Sequence, residues 1–193
     1  MRARNKLVCG VGVNDADYEC VKTKCPFYIK WKSMLERVYV ERCLLNRPNY
    51  RTASVCAEWM TFTNFRKWMG KQDWKGKHLD KDLIGDGTFY SPDTCIFVDQ
   101  SVNSFLNEHQ SANGEWPVGV SRRERSKVKK FEAHCNVFVS VHPLKTKKKF
   151  LGSFATPEEA HIAWRQEKHK QAIFLASQQS DKVVAEALSR RYA

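Results

Sequence analysis

Hydrophobic residues in the first third of the chain recur at helical spacing. Pro26 stands where a helix can open, because its missing N–H costs nothing in a first turn. Phe27, Trp31, Leu35 and Val38 follow at steps of four, four and three, which places them on one face. Arg37, Glu41 and Arg42 take the polar side, and the helix is expected to reach about Leu45, before Asn46 to Tyr50 interrupt it. A second helix is predicted over Ala57 to Met69, with Trp59, Phe62, Phe65 and Met69 in one stripe. A small domain needs such large side chains in its core, so the stripe reads as packing rather than as a platform for stacked bases. Residues 1 to about 24 hold Gly10, Gly12, Asn14 and Asp15 without a period and predict an irregular arm.

Further along, the rhythm changes. His78 to Ile84 predicts a strand, Gly85, Asp86 and Gly87 a turn, and Cys95 to Val98 a second strand. Asp99 suits the cap of a helix running to about Asn107, which completes the order of a ββα unit. Glu108 to Val118, with Asn113, Gly114 and Pro117, predicts a linker. Phe131 to Val141 and Lys148 to Phe154 predict strands separated by a basic loop. Thr156, Pro157, Glu158 and Glu159 combine a cap, a first-turn proline and a capping box. Ala160, Ala163 and Trp164 are the expected buried face of that helix, and an amphipathic segment from Asp181 to Arg191 closes the chain. There is no internal repeat. The order predicts an α+β chain of two domains. Residues 1–110 form a helical region with a ββα unit, and residues 118–193 a small antiparallel sheet packed on a helix.

Charge adds the first functional information. The formal net charge is +12, and a surplus of this size points to a polyanionic partner. Between Gly119 and Lys149 ten Lys and Arg residues face two acidic ones, so the surplus concentrates in the second domain. No apolar run approaches the roughly 20 residues of a membrane span, and Met1 to Arg4 lack the apolar stretch of a signal peptide. No membrane partner is expected, and the protein is expected in the cytoplasm, that of the host cell if a phage encodes it. Seven cysteines without secretory context suggest reduced thiols or a metal site rather than a disulfide framework.

The segment "LGSFATPEEAHIAW" (Leu151 to Trp164), preceded by Gly119-Val120 and "KKFEAH", resembles the plant ethylene-response-factor type of DNA-binding domain, which also occurs in phage homing endonucleases. The resemblance covers about Gly119 to Lys170 and implies that the sheet grips double-stranded DNA while the helix braces it. A twisted three-stranded sheet is narrow enough for the major groove. The implied contact residues are Arg122, Arg123, Arg125, Lys127, Lys129, Lys145, Lys147, Lys148 and Lys149. The Lys145 to Lys149 run holds four lysines and no arginine, which points to weak sequence preference.

The stretches "WKSMLERVY", "VCAEWMTFTNFRKWM" and "LDKDLIGDGTFYSPDTCIFV", within Trp31 to Asn103, are similar to small phage proteins related to HNH homing endonucleases. That resemblance implies a Mg²⁺-dependent DNA endonuclease built on a ββα-metal unit. Asp80 matches the strand ligand of the metal and Asn103 the helix ligand. Lys81 stands where the general-base histidine is usual, and Thr94 replaces the Asn that orients it. An unperturbed lysine has a pKa of about 10.4, unsuited to a base near neutral pH. Three substitutes are open: His78 as base, Asp82 as base, or lost catalysis with Lys81 left to bind phosphate. Cys25, Cys43, Cys56 and Cys95 could converge on a structural Zn²⁺ or remain buried thiols. Three functions are therefore carried forward: a DNA-cleaving enzyme, a non-catalytic DNA-binding protein on a degenerate nuclease scaffold, and an adaptor whose N-terminal half binds a host or phage protein.

Overall fold

Pro26 opens the first helix as its chemistry predicts. In the computed structural model, which describes residues 7–21, 24–107, 115–124 and 128–193, α1 spans Pro26–Tyr39. Trp31, Leu35 and Val38 are buried, joined by Tyr28 and Met34. The helix stops earlier than its spacing predicts. Val40 is extended, a conformation that suits its branched side chain, and its N–H closes the last turn on the Glu36 carbonyl. A separate short helix, α2 (Glu41–Asn46), follows with no buried residue.

The second predicted helix is split at Thr61 into a 3₁₀ turn over Ala57–Met60 and α3 (Phe62–Met69). The cause lies in the N-terminal arm. Val13 N–H donates to the Met60 carbonyl at 2.8 Å, and Phe62 N–H donates to the Val13 carbonyl at 3.0 Å. Those backbone groups are no longer available to a continuous helix. The aromatic stripe survives the break: Trp59, Phe62, Phe65 and Met69 are all buried, and Trp31 Nε1 donates to the Trp59 carbonyl at 2.6 Å.

Two small sheets border this core. β1 (Ser54–Val55) pairs in parallel with β3 (Phe89–Tyr90), and β2 (His78–Asp80) pairs antiparallel with β4 (Ile96–Val98). β2 is shorter than the predicted strand, because the Asp80 carboxylate accepts from the N–H groups of Asp82 and Leu83 and turns the chain.

The chain divides into two compact units, Met1–Val98 and Asp99–Ala193. Thus α4 (Gln100–Asn107), expected to complete the ββα unit of the first domain, belongs to the second. Its Phe105 ring lies 5.9 Å from those of Phe138 and Tyr192, and the buried Lys168 ammonium sits 3.8 Å from the same ring. Most of the predicted linker, residues 108–114, lies outside the described residues.

In the second unit β5 (Val120–Arg122), β6 (Phe131–Ser140) and β7 (Lys145–Phe154) form an antiparallel sheet in that order. The lysines from 145 to 147, expected in a loop, are part of β7. Backbone pairing with β6 is indifferent to side-chain charge, and lysines suit an exposed edge strand because they oppose edge-to-edge pairing. Behind the sheet runs α5 (Pro157–Ser177). Thr156 accepts from Glu159 N–H at 3.2 Å, while the Glu159 carboxylate reaches back to Ala155 N–H at 3.1 Å. Such a cap stabilises a helix by about 1 kcal/mol. α6 (Lys182–Arg190) is capped by Asp181 and buries Val184 and Leu188. The α+β expectation therefore holds. Among the described residues no helix is long and apolar enough to cross a membrane.

Gly119 sets the approach of sheet to helix. Its φ is +81°, and a Cβ there would stand 2.0 Å from Cδ1 of the buried Trp164. Gly119→Ala is expected to destabilise the chain by about 2–5 kcal/mol, combining a left-handed backbone cost of roughly 1–2 with overpacking of roughly 1–3. Guanidinium unfolding followed by tryptophan fluorescence measures it, and a change below about 0.5 kcal/mol would refute the steric account.

Candidate functional site

The end of β2 brings several expected site residues to one corner of the first unit. Asp80 is buried, and its Oδ1 accepts from Asp82 N–H at 2.9 Å and from Leu83 N–H at 2.8 Å. Lys81 is also buried. Its ammonium lies 2.8 Å from Asp82 Oδ1, 4.9 Å from the Tyr50 ring centroid and 5.8 Å from that of Tyr90. Burial pushes the Asp80 carboxyl above its ordinary value, and the neighbouring Asp82 charge pushes in the same direction. Burial works against the charge on Arg37, but Tyr90, Tyr50 and Asp80 hold its guanidinium above the ordinary value. Arg37, Tyr50 and Tyr90 escaped the sequence reading because helical spacing shows that Arg37 leaves the apolar stripe, not which strand end it meets.

Both carboxylates of the corner are engaged by the protein: one Asp80 oxygen is committed to the turn, and Asp82 is paired with the Lys81 ammonium. Asn103 stands on α4. His78, half-buried, pairs across the sheet with Val98. Thr94 is no histidine-orienting residue here: its hydroxyl accepts from Ser91 N–H at 3.0 Å and donates to the Phe89 carbonyl at 2.7 Å. Lys81, another candidate phosphate ligand, is held between the tyrosine rings and Asp82 instead of being presented to solvent.

The cysteines do not assemble into a zinc site. Among the described residues no three His, Cys, Asp or Glu side chains are placed to hold a metal ion. Cys25 Sγ lies 3.0 Å from the Tyr18 hydroxyl, and burial pushes the Cys95 thiol up to about 12. All seven cysteines are free, and Cys20, Cys25, Cys95 and Cys135 are buried.

In the second unit, strand register sorts the basic residues by face. Ala133, Cys135 and Val137 are buried against α5. Lys149 pairs with Cys135, and its ammonium lies 3.0 Å from the buried Glu167 carboxylate of α5. Lys147 pairs with Val137 and shares that side. Lys148 pairs with Asn136, so both project from the opposite, outer face. Between Ala133 and His134 the register shifts, leaving Leu151 as the extra residue of β7. Beside the shift, His134 and Phe150 meet on the outer face with ring centroids 5.3 Å apart. Arg123, exposed beyond β5, lies 3.2 Å from Glu132. Arg122, Lys129 and Lys145 are exposed, whereas Arg125 and Lys127 lie outside the described residues. His134, Asn136 and Phe150 were missed in the sequence, although a period of two counted from the buried Ala133 would have found the first two. No family model, curated protein or solved structure matches the chain.

The corner geometry makes Asp80 a turn-forming residue. Asp80→Ala is expected to cost about 2 kcal/mol or more, since two amide N–H groups lose their acceptor. Asp80→Asn keeps a side-chain oxygen and is expected to cost less. The pH dependence separates them further. With the folded carboxyl raised above 3.8, the folded state binds more protons than the unfolded state over the interval above 3.8. Wild-type stability should thus fall relative to Asp80→Asn as pH rises through that interval. Denaturant unfolding across acidic pH checks both; equal losses for Ala and Asn would refute the turn role.

Proposed function

We propose that this chain is a DNA-binding protein that holds the duplex on the outer face of β5, β6 and β7, with a nuclease-like first unit kept as scaffold. The observation that carries the reading is the split of the lysine run. Lys147 and Lys149 lie on the helix side, where Lys149 is tied to Glu167, while Lys148, Asn136, His134 and Phe150 share the face away from α5. A solvent-facing sheet with a cation, an amide, an imidazole and a ring has the chemistry for phosphate and base-edge contacts. The braced helix leaves that face uncovered by the unit's own core. Support also comes from the sequence resemblance to sheet-type DNA-binding domains joined to phage homing-endonuclease-like regions.

The cleaving enzyme is the weaker reading, because Asp80 is engaged in the turn and Asp82 with the Lys81 ammonium inside the corner. The adaptor reading is weakened by packing: Trp31, Trp59, Phe62 and Phe65 are buried in the core of the first unit.

Affinity for a DNA duplex is expected to fall with salt at a log–log slope of about −0.9 per phosphate neutralised. Lys148→Ala should reduce that slope by about one contact, whereas Lys149→Ala, whose partner is Glu167, should leave it nearly unchanged. Fluorescence anisotropy over a salt series reads both. A slope indifferent to Lys148 would overturn the outer-face reading. Incubation with Mg²⁺ or Mn²⁺ should leave supercoiled DNA uncut, and metal-dependent nicking absent in chelator would restore the enzyme.

A further inference from the structure

The first unit carries its own concentration of positive charge. A cleft of about 440 Å³ opens beside α1 and α2 and is lined by Ser33, Glu36, Arg37, Arg42, Asn46 and Arg47, with Cys43. Arg37 is held from inside: its Nε donates to the Ser33 carbonyl at 3.1 Å and one terminal nitrogen lies 3.5 Å from the Ser33 hydroxyl. Arg42 and Arg47 are exposed, and among the described residues neither has a carboxylate within 4.0 Å. The acidic neighbours are already engaged. Glu36 lies 3.4 Å from Lys32, and Glu41 lies 3.0 Å from Arg51.

Three guanidinium groups therefore line one concave site against a single carboxylate that has its own partner. Guanidinium forks match the oxygens of a tetrahedral anion, and the two exposed forks of Arg42 and Arg47 can meet different oxygens of the same group, with the Arg37 charge in the wall behind them. Asn46 donates its amide nitrogen to the Arg42 carbonyl at 3.2 Å, which bonds one side chain of the cleft to the backbone of another. An apolar ligand would have to desolvate these charges without replacing their water, which is unfavourable.

We propose that this cleft is a phosphate-binding site, taking either a backbone phosphate of a nucleic acid or the phosphate of a small molecule. The assignment rests on the first unit alone and is independent of the sheet.

The test uses the intact chain at about 10 mM salt, where the screening length is roughly 30 Å. Pyrophosphate binding is followed by calorimetry and binding of a short DNA duplex by anisotropy. Three proteins are compared with wild type: Arg42→Ala/Arg47→Ala, Arg42→Lys/Arg47→Lys, and the sheet variant Arg123→Ala/Lys148→Ala. Thermal melting confirms that each folds, as expected for exposed positions. The cleft alanine variant should weaken at least one probe by about tenfold or more, with the lysine variant intermediate because charge remains but the fork is lost. Weakened pyrophosphate binding with unaltered duplex binding assigns a small phosphate ligand. Weakened duplex binding, with or without a pyrophosphate effect, assigns a backbone phosphate. Either result supports the site. If both probes bind the cleft alanine variant as they bind wild type, or neither binds wild type, the proposal is overturned. It is also overturned if the sheet variant weakens both probes as much as the cleft variant does, since the effect is then general charge. A sheet variant that leaves duplex binding intact while the cleft variant abolishes it sinks the sheet reading and spares the cleft.

Discussion

A chain of hydrogen bonds from sheet to helix fixes the second unit. Lys149 donates to Glu167, Gln171 donates to the other oxygen of Glu167 at 3.1 Å, and Phe138 N–H donates to Gln171 at 2.9 Å. Glu167 is buried, so removing its partners would leave a charge without compensation in a low-dielectric setting. Because strand side chains alternate, a slip of β7 by one residue would turn Lys149 outward and bring Lys148 to the helix. The composition of the outer face thus depends on the register of β7, in which Lys149 is the lysine that meets Glu167.

The two units deploy basic residues in contrasting ways. At the corner of the first, Lys81 is enclosed by Asp82 and two tyrosine rings, and Arg37 is held by Ser33 and the field of Tyr90, Tyr50 and Asp80. Each of these two cations has its compensation within the fold, and such pairs hold geometry more than they add net stability. On the outer sheet face and around α2 the cations face water instead. Lys148, Arg42 and Arg47 retain hydration that a phosphate can replace with comparable oxygens. Burial, more than the number of lysines and arginines, therefore separates structural cations from those available to a partner.

Much of the architecture was legible because it rests on local chemistry. Thr156 and Glu159 announced α5, Pro26 announced α1, and the aromatic stripe correctly foretold a core. What escaped depended on residues distant in sequence. The break at Thr61 comes from Val13, 48 positions earlier, and no periodicity within the second helix could reveal it. Likewise α4 follows β4 directly yet packs through Phe105 on Phe138 and Tyr192, so sequence order alone suggested a ββα unit that the packing divides. The expected metal ligands meet the same limit. A strand-end aspartate has the same signature whether it holds a cation or caps a turn, and the N–H groups of Asp82 and Leu83 are what distinguish the two.

On the proposed reading, the outer face divides its work by position. Lys148 lies on the edge strand and is a flexible point charge, suited to a phosphate at the rim of a groove. Asn136 and His134 lie on the central strand β6, where a sheet lying in a groove comes closest to the bases. An asparagine amide can pair with both adenine edge atoms in the major groove, which lysine cannot do. Glu132, on the same central strand, opposes phosphate and is held by Arg123, so it suits an inner position better than a rim. Lysines placed outside and a short polar row inside give affinity without much discrimination, with whatever base preference exists concentrated on β6. The absence of arginine from the Lys145 to Lys149 run then follows from its place on an edge strand, where holding the backbone matters more than reading guanine.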